Sequence, residues 1–308
     1  MNQTMELPTA DADSPIVFDR VSKRYGNTNA LSSASFSIPA GSVVGLVGRN
    51  GAGKSTALRC LAGLARPSAG SVRLLGVDPA SMSAAIKQRV GFMAEQALPF
   101  PAATAAELIR FCQPLYQRWD KSVEQEMIKR FQVNVDRKLA KLSMGQQRTV
   151  ALLLALCPRP DVLVLDEPAA NLDPVMRREF LNEILGLVSE QGRTVILSTH
   201  AMGDVERIAD RVLFLDQGRV LLHRPLDELK ENIRRLRLIF PGDAPSSVDV
   251  PGMLKGQRAG REWLITVDGF FDELPAQVAA RTGAQVDVQA VGLEDLFLDL
   301  ADRPGVAA

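Results

Sequence analysis

The segment Gly48-Arg-Asn-Gly-Ala-Gly-Lys-Ser-Thr56 constrains this chain more than any other. It fits the pattern G-x-x-x-x-G-K-[ST] and stands between the apolar run Val43–Val47 and a stretch with Leu58, Leu61 and Leu64 at helical spacing. A glycine-rich turn from strand to helix lets successive backbone N–H groups converge on a phosphate, and the helix N-terminus adds the positive end of its dipole. In such a loop Lys54 reaches the β- and γ-phosphates, and the Ser55 hydroxyl is placed to hold Mg²⁺. The plain alternative is an ordinary glycine-rich connection. The flanking strand and helix favour the phosphate reading.

From Ile16 to Leu222, short apolar runs alternate with helical patterns. Val43–Val47, Val162–Leu165, Val195–Leu197 and Val212–Leu215 are nearly all apolar, as strands covered on both faces must be. They predict a parallel sheet with helices on both sides. Ala105–Leu156 reads as mainly helical, an insertion drawn at about residues 86–158. After His223 the composition shifts. Leu226–Arg237 reads as a charged helix and Pro241–Gly260 as loop. A strand at Glu262–Val267, a helix at Phe271–Arg281, a strand at Gln285–Ala290 and a helix at Leu293–Leu300 complete a small α+β appendage. The expected division is a loose tail at 1–14, a main domain at 15–222 and an accessory domain at 223–308.

Composition excludes several classes. Lys+Arg and Asp+Glu are both 36, so the chain lacks the broad positive field of a nucleic-acid binder, and no nucleic-acid partner is expected. Cys60, Cys112 and Cys157 are odd in number and widely spaced, which fits neither a disulfide framework nor a metal-ligand pattern and points to a reducing compartment. The first residues carry no signal-peptide pattern. The longest apolar run, Val150 to Cys157, is far short of the roughly 20 residues of a membrane span. Any membrane role is therefore expected to run through a partner.

Asp161-Val-Leu-Val-Leu-Asp-Glu-Pro168 is a buried strand ending in two carboxylates. In parallel sheets ligands bind at the C-terminal ends of the strands. Beside a phosphate loop, Asp166 would complete a Mg²⁺ shell and Glu167 would orient or deprotonate an attacking water. Alone, Asp-Glu after a strand is more often a solvated turn. The upstream loop reverses that weighting.

Further along, Lys141-Leu-Ser-Met-Gly-Gln-Gln147 opens an apolar helix, with Ser143 and Gln146 spaced as a capping box. Asn171-Leu-Asp-Pro174 reads as a helix start, with Asp173 as cap and Pro174 in the first position. Ser198-Thr-His200 ends the strand Val195–Leu197, and Tyr25-Gly26 ends an early strand. Taken in order with the loop and the acidic pair, these segments resemble the nucleotide-binding subunits of ABC transporters, strongly over Ile16–Leu222. The resemblance implies an α/β fold: a P-loop NTPase core of RecA-like type with a parallel sheet, an antiparallel β subdomain and an α-helical insertion, followed by the C-terminal appendage.

The same resemblance implies ATP hydrolysis that powers transport beside a separate integral membrane subunit, on the cytoplasmic face of the membrane. Tyr25 would stack on adenine. Gly48, Arg49, Asn50, Gly51, Ala52, Gly53, Lys54, Ser55 and Thr56 would hold the phosphates. Glu167, His200 and Lys54 would carry the chemistry, with Mg²⁺ at Ser55 and Asp166. Ser143, Gly145, Gln146 and Asp173 would meet a nucleotide held by the other copy of an ATP-dependent homodimer or heterodimer. The segment Gly292-Leu-Glu-Asp-Leu-Phe-Leu-Asp299 resembles appendages of exporter ATPases, so export is the expected direction.

Two departures stand out. Met144 replaces the first of the signature's paired glycines. In Val90-Gly-Phe-Met-Ala-Glu-Gln96, read as a loop, Glu95 falls where the family carries a glutamine near Mg²⁺ and water, with Gln96 beside it, so either could serve. Phe100, in Leu98-Pro-Phe-Pro101, is a candidate anchor for the membrane subunit, and its plain alternative is a core residue of the insertion. Three other functions compete with this reading. A soluble ATPase of translation or DNA repair would carry a second such domain or a coiled-coil insertion. A decayed binding module would have lost Lys54, Asp166, Glu167 or His200. A membrane-surface helix at Lys230–Arg237 competes with a solvated charged face.

Overall fold

The computed structural model describes residues 14–96, 98–189 and 192–302, so all of the expected tail except Ser14 lies outside the described residues. The chain divides after His223 into two compact units.

The first unit opens with a long antiparallel hairpin, β1 (Ile16–Tyr25) and β2 (Thr28–Ile38), then β3 (Val43–Val47), helix α1 (Lys54–Leu61) and β4 (Ala69–Leu74). Next come α2 (Ala84–Lys87), β5 (Val90–Met93) and the helices α3 (Ala105–Cys112), α4 (Lys121–Arg130) and α5 (Met144–Leu156). The unit closes with β6 (Val162–Asp166), α6 (Pro174–Ser189), β7 (Thr194–Thr199), α7 (Met202–Ile208), β8 (Arg211–Asp216) and β9 (Arg219–Pro225).

Six strands form one sheet in the order β5-β6-β7-β3-β8-β9, and β5, β6, β7, β3 and β8 run parallel. A second, antiparallel sheet has the order β2-β1-β4. Successive strand residues point to opposite faces, so each central strand serves two cores. On one face Val44, Leu46, Val164, Ile196 and Leu213 pack with Leu58 and Leu61 of α1 and with Ile16, Phe18 and Phe36 of the antiparallel sheet. On the other, Val43, Leu163, Leu165, Val195 and Leu197 pack with Leu152, Leu153 and Leu156 of α5 and Phe180, Leu181 and Ile184 of α6. Phe18 and Phe36 stack with centroids 4.3 Å apart.

The helical insertion is narrower than its sequence outline of 86–158. Residues 90–93 are β5, an edge strand in register with β6 from Val90↔Val162 to Met93↔Leu165. Four residues are too few to show a period, and here the ladder to β6 decides the conformation. The segment read as a loop from Val90 therefore begins as strand. Phe100 is 60% exposed and meets Phe111 edge-on at 6.5 Å, so the core reading of Phe100 fails.

The second unit begins with α8 (Leu226–Asn232), followed by β10 (Ile233–Ile239), β11 (Met253–Ala259), β12 (Glu262–Asp268), α9 (Leu274–Thr282), β13 (Gln285–Ala290) and α10 (Leu293–Ala301). Its sheet is antiparallel in the order β11-β12-β10-β13. Two expectations fall here. The charged helix drawn over Leu226–Arg237 stops at Asn232, and with it the membrane-surface helix. In Arg235-Leu-Arg-Leu238 the leucines turn to a core shared with Trp263, Ile265, Leu274 and Val278. The arginines turn the other way, Arg235 to Asp295 and Asp299, Arg237 to Glu262. That alternation has period two, not 3.6. The stretch Pro241–Gly260, read as loop, contains β11, a mostly exposed edge strand held by its ladder to β12.

Candidate active site

Three neighbouring strands of the parallel sheet deliver the site. β3 ends at Val47 and turns into the loop Gly48–Gly53, β6 ends at Asp166, and β7 ends at Thr199, just before His200. The loop depends on missing side chains. A Cβ on Gly48 would lie 2.1 Å from the Leu215 carbonyl oxygen, and Gly53, the N-cap of α1, has φ +106° and lies against the Ala30 carbonyl. Only glycine adopts that backbone without strain.

Lys54 is buried and folds back across the loop, donating to the carbonyls of Gly48 at 2.8 Å and Arg49 at 3.4 Å. Its Nζ lies 3.7 Å from Glu167 Oε1. The other Glu167 oxygen is 3.0 Å from His200 Nδ1. A carboxylate oxygen accepts, so that bond places a proton on Nδ1. Ser55 Oγ donates to Asp166 Oδ1 at 3.0 Å. Glu167 has φ +47°, the left-handed region that costs a non-glycine residue about 1–2 kcal/mol.

Tyr25 ends β1, is 46% exposed, and carries the Lys23 ammonium 4.8 Å from its ring centroid. Arg49, Asn50 and Gly51 are exposed along the outer loop, and Ala52 is buried. Thr56 is half-buried in the first turn of α1. Glu95 and Gln96 are both exposed, in the bend after β5.

The signature residues gather elsewhere. Ser143, Gly145, Gln146 and Asp173 line a cleft of about 570 Å³ with Met144, Asn171 and Met176, and no residue of the loop Gly48–Thr56 lines it. Only half of the expected capping box forms. Ser143 Oγ accepts from Gln146 N–H at 3.2 Å, while the Gln146 side chain donates to the Gln132 carbonyl at 2.8 Å. Asp173 caps α6 as expected, accepting from Val175 and Met176 N–H at 3.1 Å each.

Two residues escaped the sequence reading. Arg148, on α5, is buried and donates to the Ala94 carbonyl at 3.3 Å. Burial pulls its pKa down, and the charges of Glu95, Glu167 and Asp166 oppose that shift. A cation offsetting three carboxylates was signalled only by its being the one charged residue of α5. The other is Ser198, directly paired with Asp166 in the sheet register.

The sequence profile of the family described as "ABC transporter" matches residues 31–170. The Nod factor export ATP-binding protein I of Burkholderia lata is 31% identical over 299 residues, covering 94% of this chain and 97% of that protein. The methionine import ATP-binding protein MetN of Caulobacter vibrioides is 36% identical, covering 89% of this chain and 85% of its own length. Among solved structures, the dimeric post-hydrolysis state of the ATP-binding cassette MJ0796 bound to ADP and Pi is similar at TM-score 0.61 and 25% identity, over 68% of this chain and 98% of that one.

Proposed function

The chain belongs to the ABC transporter family as one of its ATP-hydrolysing subunits, and from that premise we propose that Lys54, Glu167 and His200 run the hydrolysis that drives export through a separate membrane subunit. One observation carries the assignment of residues. A single carboxylate, Glu167, reaches the loop lysine with one oxygen and His200 with the other, at the C-terminal edge of a parallel sheet.

In this reading the loop amides and Lys54 bind the β- and γ-phosphates, and Tyr25 stacks on adenine. Glu167 orients the attacking water and takes its proton, while His200 holds Glu167 in place beside the γ-phosphate. Phosphoryl transfer needs little covalent help, so positioning and charge supply most of the acceleration. Ser55 Oγ and Asp166 Oδ1 are two hard oxygen donors in contact, a pair that suits Mg²⁺, which favours one or two protein oxygens with phosphate and water completing its shell. Mg²⁺ held there would supply positive charge against the phosphates. Glu95 and Gln96, in the bend after β5, are the candidates for sensing the metal and the water.

Ser143, Gly145, Gln146 and Asp173 act in trans, on nucleotide held by a second ATPase subunit. The support is geometric: within one chain they line a cleft apart from the loop. Phe100 and Phe111, 60% and 63% exposed, make an apolar face on the insertion suited to a membrane subunit. No helix among the described residues is long and apolar enough to cross a membrane. In this reading the membrane subunit supplies the translocation path and this chain docks on its cytoplasmic face. The likeness to the Nod factor export protein, which extends through the second unit, supports export. The test is ATP turnover by the purified chain with Mg²⁺, compared with Glu167→Gln. Equal turnover in the two would overturn the assignment.

A further inference from the structure

We propose that Ser198 is a positioning residue for hydrolysis, whose single hydroxyl locks the Asp166 carboxylate and the Glu167 backbone into one fixed arrangement. The proposal rests on the ATPase reading above. Ser198 lies on β7, fully buried, in register with Asp166 on β6. Its Oγ accepts the Glu167 N–H at 2.8 Å and donates to Asp166 Oδ1 at 2.7 Å. The direction of both bonds is fixed by chemistry. The amide can only donate, so the serine proton is left for the carboxylate. The hydroxyl is therefore committed on both sides, and one atom ties together the two consecutive acids.

These acids need such a tie. Glu167 stands at φ +47°, from which an untethered residue relaxes toward extended backbone and swings its side chain away from Lys54 and His200. The bond from Glu167 N–H to the neighbouring strand opposes that rotation. Asp166 Oδ1 has a second donor, Ser55, but Ser55 belongs to the phosphate loop. Ser198 belongs to the sheet and holds the carboxylate whatever the loop does. The next residue along β7 serves the backbone instead. Thr199 Oγ1 accepts from Ala201 N–H at 3.0 Å and shapes the turn that carries His200. A serine that only filled space between strands would not direct its hydroxyl to two functional groups at once.

The test uses the full-length chain with Ser198→Ala and Ser198→Cys. Cysteine keeps the volume and loses most of the hydrogen bonding, so it decides the matter if the alanine variant does not fold. Both are expected to bind a fluorescent ATP analogue in EDTA as the wild type does, to need more Mg²⁺ for half-maximal turnover, and to lose kcat by about tenfold or more with KM for ATP changed less than about twofold. Turnover within about twofold of wild type in the folded cysteine variant would overturn the proposal, as would loss of binding in EDTA that matches the loss of kcat. Wild type and Glu167→Gln are measured alongside. If those two do not differ, the ATPase assignment has failed. If they differ while Ser198→Cys is normal, only the role of Ser198 has failed.

Discussion

Glu167 Oε2 and His200 Nδ1 meet at 3.0 Å, across the ends of two adjacent parallel strands. Each stands just past the end of its strand, and β6 and β7 are paired in register up to Asp166↔Ser198, so the ladder fixes where the two turns begin. The contact thus joins two turns that the sheet anchors side by side.

Glu167→Gln keeps the size and the contact to His200 but removes the charge that activates water. ATP affinity should stay near wild type while kcat falls by roughly 10²–10⁴-fold. Fluorescent nucleotide binding and phosphate release, measured on the same preparation, check both halves. Retention of more than about a tenth of wild-type turnover would count against Glu167 as base.

The slow variant should also trap the closed dimer. Light scattering is expected to show mostly monomer without nucleotide and a dimer with ATP and Mg²⁺. Ser143→Arg, which fills the cleft beside Met144 and Asp173, should prevent the dimer without weakening nucleotide binding by the loop. A dimer that survives this change argues against closure through the signature cleft.

Phe100→Ala removes an exposed ring whose neighbour is the equally exposed Phe111. Stability should change by less than about 1 kcal/mol, against the roughly 3–5 kcal/mol of a core phenylalanine. Basal turnover should be near normal and co-purification with the membrane subunit should be lost. Retained co-purification would remove the docking role.

His223 gives a pH dependence of known sign. It is buried against Phe36, its Nδ1 has no hydrogen-bond partner among the described residues, and Arg211 Nε is 3.4 Å from its Nε2. Burial first, and the Arg211 charge second, push its pKa down to about 4. The unfolded chain binds this proton near its ordinary value of about 6.5, so stability is full above that pH and declines as pH falls toward 4. Between about pH 7 and about pH 5 the group should cost the wild type about 2 kcal/mol that His223→Leu does not lose. Urea titrations at the two pH values test this, and parallel declines in both proteins would refute it.

Much of this was legible in the chain itself, for physical reasons. A strand covered on both faces must be apolar throughout, which marked β3, β6, β7 and β8. The phosphate loop announced itself because its geometry demands glycine at fixed places. What stayed hidden depends on partners distant in sequence. β5 and β11 are strands because a neighbour pairs with them, and neither carries the residues of an autonomous strand. Arg235 and Arg237 looked like a helix face until acids distant in sequence fixed them as one side of a strand. Ser198 gave no local sign, since its meaning comes from lying opposite Asp166. Ser143 was recognisable, and the resemblance alone set it against another copy's nucleotide, while the cleft it lines takes the fold to see.

The clash at Gly48 bears on how this protein should be dissected. Alanine scanning reads importance from what is lost when a side chain is cut back, and here the informative change is an addition. One methyl group at residue 48 would drive into the Leu215 carbonyl, disturbing the phosphate cradle while leaving every charge in place. Gly48→Ala is therefore a charge-neutral dead control. It would separate effects of nucleotide occupancy from effects of electrostatics, which a Lys54 substitution changes together.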